Sequence, residues 1–122
     1  MRAPTGLWAS LSCRDPRATI TFLTAAFGLT ERAVHTEAGE VVHAELLHDE
    51  GGGLMLGPAR PGGCPPGGAS VHLVCEDPDA VFARAVAAGA AVVAPFDADY
   101  GSRLFVVTDP EGNHWSAGTW YE

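Results

Sequence analysis

Apolar residues recur along this chain at two different periods. Leu7, Ala9, Leu11 and Cys13 alternate with Trp8, Ser10 and Ser12, and Val71, Leu73 and Cys75 alternate with Ser70, His72 and Val74. Period two marks a strand with one buried face. Each strand runs into the same punctuation, because Cys13-Arg14-Asp15-Pro16-Arg17-Ala18 returns sixty-two residues later as Cys75-Glu76-Asp77-Pro78-Asp79-Ala80. Asp-Pro starts a helix for a physical reason. The carboxylate caps free N–H groups, and proline loses nothing at the first helical position. Ile20, Leu23 and Phe27 then fall at i, i+3 and i+7, and Val81, Phe82, Ala85 and Val86 make a second stripe. Gly28 and Gly89 stand where left-handed C-terminal caps are expected.

Three strands are predicted after each helix: 29–37, 41–48 and 53–58, then 91–96, 102–108 and 113–120, with turns at Gly39 and Gly51-Gly52-Gly53. Each half therefore reads β-α-β-β-β. The first repeat spans 7–58 and the second 70–120. The Pro- and Gly-dense segment 59–69 links them within a single domain, 1–122.

Composition narrows the setting. The chain has 122 residues, 47% of them hydrophobic and 18% charged, enough for one core but not two. A net charge of -8 disfavours nucleic acid and anionic membranes as partners. No secretory or membrane-spanning apolar run is expected, and the odd trio Cys13, Cys64 and Cys75 suits reduced thiols. The expected location is the cytoplasm. No phosphate loop, dinucleotide fingerprint, serine elbow or His-Glu-x-x-His motif occurs.

The paired repeats, together with Tyr100-Gly101-Ser102-Arg103, Asp109-Pro110-Glu111-Gly112-Asn113 and Trp115, resemble the vicinal oxygen chelate superfamily. That superfamily includes glyoxalase I, extradiol dioxygenases and the bleomycin-resistance proteins. The resemblance covers nearly the whole chain. It implies an α+β fold in which two βαβββ repeats form curved mixed sheets around a cleft. It also implies a homodimer in which each cleft takes one half from each chain.

Metal enzymes of this superfamily carry one ligand on the first and last strand of each half. Threading those positions gives Trp8, Met55, Ser70 and Ser116. Indole and thioether cannot replace His or Glu, and neutral serine is a poor ligand, so no metal and no other cofactor is expected. Cleft-facing parity then collects Trp8, Ser10, Met55, Ser70, His72, His114, Ser116 and Trp120, with Trp115 and Ala117 on the core side. Trp8 either stacks on a flat ligand or plugs the vacated site, with Gly118 leaving room beside it. His72 and His114 lie on neighbouring strands and form a candidate polar pair. His43 shares alternation with Glu45 and Leu47 and joins the candidates. Arg103 meets either an anionic ligand or a rim carboxylate. His35 and His48 read as solvated strand ends, and Asp97, Asp99 and Glu111 as a solvated rim.

The expected function is metal-independent binding of a small apolar or planar aromatic compound, of the bleomycin-resistance type, with no catalytic residue assigned. The competing expectation is a lyase, isomerase or dioxygenase with a non-standard site. A third is an orphan dimer whose cleft its own side chains fill.

Overall fold

Residues 6–119 are described by the structure, a computed structural model. The elements run β1 (Trp8–Cys13), α1 (Pro16–Phe27), β2 (Thr30–Glu37), β3 (Glu40–Leu47), β4 (Gly53–Pro58), β5 (Ser70–Val74), α2 (Pro78–Ala87), β6 (Ala91–Asp97), β7 (Arg103–Thr108) and β8 (His114–Gly118). Two βαβββ repeats are the result. The sheets have orders β1-β4-β3-β2 and β5-β8-β7-β6. β1 runs parallel to β4 and β5 to β8, while the remaining pairs are antiparallel. Both sheets are therefore mixed.

Both helices begin as the Asp-Pro repeat predicts. Asp15 accepts from the Ala18 N–H and Asp77 from the Ala80 N–H, each with proline in the first turn. Gly28 closes α1 in the left-handed conformation, at φ 69°. The end of α2 differs: Ala88 is the cap, at φ -80°, and Gly89 takes the left-handed conformation one residue later. The first expected strand starts a residue late, at Trp8, and the fifth stops at Val74, one residue short of Cys75.

One core serves both repeats. Leu11, Leu46 and Leu56 pack beneath Ile20 and Leu23 of α1, and Leu73, Phe105 and Trp115 pack beneath Ala85 and Phe82 of α2. The two helices also touch each other. Phe27 stacks on Trp115 across the repeats with ring centroids 4.9 Å apart. The Arg84 guanidinium of α2 donates to the Thr24 carbonyl at 3.3 Å, near the negative end of the α1 dipole. Three stripe positions depart from expectation, and one of them is the exposed Ala9 of β1. Val86 is exposed, and Leu7, 96% exposed, lies beyond the point where the core face of β1 ends.

Candidate functional site

The turn between β7 and β8 joins the repeats, and its chemistry is buried. Asp109 is 4% exposed and accepts four hydrogen bonds, from the Glu111 and Asn113 backbone N–H groups, the Asn113 amide and the Trp115 indole at 2.9 Å. Glu111, expected on a solvated rim, is only 6% exposed. Its carboxylate accepts from the backbone N–H groups of Arg14 (2.9 Å) and Asp15 (2.7 Å) at the start of α1. Sequence position alone made it a loop residue; the docking of the turn onto the other repeat buries it. Trp115 is thus a core residue with its N–H satisfied, as expected.

Period two places the candidate strand residues, Arg103 apart, on the sheet faces opposite the helices. On the first sheet Ser10 lies opposite Met55 and Trp8 opposite Gly53. The Trp8 ring lies over Gly53, where an added Cβ would stand 2.8 Å from it. The glycine beside Trp8 is therefore Gly53 and not Gly118, whose own Cβ would instead meet Arg103 and Leu104. His43 Nε2 lies 2.9 Å from Glu45, which also pairs with Arg32, and His43 stacks on His35. The His43 hydrogen bond, with Arg32 assisting, holds the Glu45 carboxyl below its ordinary value.

On the second sheet the register sets Ser70 opposite His114 and His72 opposite Ser116. His72 Nδ1 lies 2.7 Å from Ser116 Oγ, a direct cross-strand contact. Partial burial lowers the His72 pKa from 6.5. Arg103 meets carboxylates rather than open space. It makes two 2.9 Å hydrogen bonds to Asp79 at the head of α2 and a longer one to Asp97. Trp120 lies outside the described residues.

Two cavities take up five of the candidates, while Ser70, Arg103, His114 and Ser116 line neither of them. A space of about 700 Å³ opens between the repeats, bringing Trp8 and His72 together with Leu29, Val71, Val74 and His48. A second, of about 320 Å³, collects Ser10, His43 and Met55 beneath the linker residues Arg60 and Cys64. His48 was expected in solvent, yet it is half-buried with its Nε2 2.7 Å from the Val74 carbonyl. The internal repeat held a faint signal for it. His48 precedes Glu50-Gly51 as Asp109 precedes Glu111-Gly112, so both turns reach the opposite repeat.

The metal of the superfamily's enzymes finds no fitting donors at the four threaded positions. They carry an indole, a thioether and two hydroxyls, and among the described residues no three His, Cys, Asp or Glu side chains converge to hold an ion. No metal-dependent step follows from this donor set.

Residues 8–117 match a family described as the glyoxalase-like domain. The chain belongs to that glyoxalase-like family. It is 37% identical over 118 residues to an uncharacterized protein of Mycobacterium bovis, covering 85% of this chain and 76% of that one. It is similar to the crystal structure of TioX from Micromonospora sp. ML1, with 28% identity, TM-score 0.77, and coverage of 93% and 98% of the two chains. TnmS3, an antibiotic binding protein from Streptomyces sp. CB03234, shares the fold at 22% identity and TM-score 0.79, with 98% of each chain covered. A glyoxalase-like fold is thus common to sequence and structure. No helix among the described residues is long and apolar enough to cross a membrane.

Proposed function

We propose that this protein binds a small, planar, largely apolar compound without metal and without turnover, in the manner of the bleomycin-resistance proteins. The observation that carries the reading is the cavity of about 700 Å³ between the repeats. Its volume suits a small-molecule site, and its walls combine an indole and aliphatic side chains with a few polar groups. The donor set at the threaded metal positions supports binding over metal chemistry. TnmS3 shows that this fold serves antibiotic binding elsewhere, which makes an antibiotic or similar natural product a reasonable ligand class.

The acting form is a homodimer. Half-exposed Ser116 and Met55, and exposed Ser70, Ser10 and His114, leave the faces opposite the helices open to a second copy, which would deepen each cleft. Free thiols at Cys13, Cys64 and Cys75 suit the reducing cytoplasm.

The test is a thermal-shift screen against planar aromatic natural products, on protein purified without chelators and assayed for metal. A ligand should raise the melting temperature by mass action. Stoichiometric metal, or chemical conversion of the bound compound, would replace this reading with an enzymatic one.

A further inference from the structure

The cavity between the repeats contains a histidine whose protonation pattern its own hydrogen bond decides. His48 is anchored in the turn after β3, where its N–H donates to the Gly52 carbonyl and its carbonyl accepts from Gly51. Its ring Nε2 lies 2.7 Å from the Val74 carbonyl oxygen at the end of β5. A carbonyl can only accept, so Nε2 carries the hydrogen. In the neutral ring Nδ1 is then an acceptor, and it has no hydrogen-bond partner among the described residues. Both His48 and Val74 line the cavity, as does Glu50, a second acceptor. The remaining walls carry the apolar side chains of Trp8, Leu29, Val71 and Leu73, with the imidazole of His72 among them.

From this arrangement we infer that the cavity selects planar aromatic compounds that carry a hydrogen-bond donor, such as a phenol or an aryl amine, through Nδ1 of His48. The inference rests on the binding function proposed above and adds the polarity of the ligand. Carboxylates fit poorly beside the Glu50 carboxylate in the cavity wall, on a chain of net charge -8. Apolar surface sets the plane of the ligand, and the imidazole sets which edge turns inward.

Three matched probes test it: 2-naphthol, 2-methoxynaphthalene and 2-naphthoate, titrated into the full-length protein. The ¹⁵N signals of His48 are followed at a pH where the ring is neutral. Nδ1 should show the shift of an unprotonated nitrogen, and 2-naphthol should move it. The naphthol should bind roughly three- to tenfold more tightly than its methyl ether, the size of one net hydrogen bond, and the naphthoate most weakly. His48→Phe should abolish the preference for naphthol over the ether. His48→Gln, whose amide can donate to Val74 and still offer an acceptor, should restore part of it. If the ether equals the naphthol, or the preference survives in His48→Phe, or Nδ1 proves protonated, the selectivity is refuted while small-molecule binding stands. If none of the three probes binds, the proposed binding function falls with it.

Discussion

The indole of Trp8 rests on Gly53, its register neighbour across the β1–β4 pair, so closely that a methyl group there would stand 2.8 Å from the ring and 2.6 Å from the Leu46 carbonyl. Gly53→Ala should therefore displace the indole and strain the backbone together, lowering stability by about 1–3 kcal/mol, as overpacking does. The tryptophan fluorescence maximum should move as well. Because the carbonyl contact does not involve Trp8, the Trp8→Ala/Gly53→Ala double variant should recover only part of the loss. Full recovery in urea unfolding would show that the ring alone makes glycine necessary.

Trp8→Ala separates a stacking platform from a plug. Half-buried beside a cavity, Trp8 is not packed as Trp115 is. Its removal should cost well under the roughly 3–5 kcal/mol of a core tryptophan. Affinity for a planar aromatic ligand should fall about tenfold, through lost burial and ring contact. Melting temperature and affinity measured on the same variant decide the matter. A large stability loss with unchanged affinity makes Trp8 a plug.

Much of this architecture was written into short-range chemistry. Asp15-Pro16 and Asp77-Pro78 fix both helix starts locally, and the alternation of β1 and β5 fixes which face meets the core. Local patterns could not report where the turns go. Glu111 looks solvated because its neighbours in sequence are Pro110 and Gly112, and it is buried because Arg14 and Asp15 lie across from it in space. His48 escaped notice for the same reason, since its partner Val74 belongs to the other repeat. The site residues were partly legible through parity. Their grouping was not, because it depends on the register that pairs His72 with Ser116 and on the space left between β1 and β5.

Glu111→Ala should destabilise the protein by about 2–4 kcal/mol, since it strips two backbone N–H groups of a charged acceptor at a largely buried contact. Glu111→Gln keeps one acceptor oxygen and should cost less. Urea unfolding of the two variants orders them. Equal losses would mean that side-chain packing, not the hydrogen bonds, holds the turn.

His72 gives stability a dependence on pH. Its pKa is lowered in the fold by burial, so between the folded value and 6.5 the unfolded chain binds more protons. The folded state is therefore fully favoured above 6.5 and loses stability as pH falls through the folded pKa. His72→Gln should flatten the decline in melting temperature over that interval. It should leave the decline below the carboxylate range in place. An unchanged profile would assign the decline to other groups.

The Glu111 contact has a consequence for how the chain is assembled. The cap of the first helix is completed by a turn almost a hundred residues away, and His48 ties the end of β5 in the reverse direction. Neither half holds all the groups that its own ends require, so a polypeptide severed in the linker should reassemble from its two fragments rather than yield two independent miniature folds. These contacts specify which turn meets which helix, and say nothing about whether both lie on one molecule. Two copies could exchange halves and satisfy every one of them, leaving the linker as the element that decides between self-closure and a swapped pair.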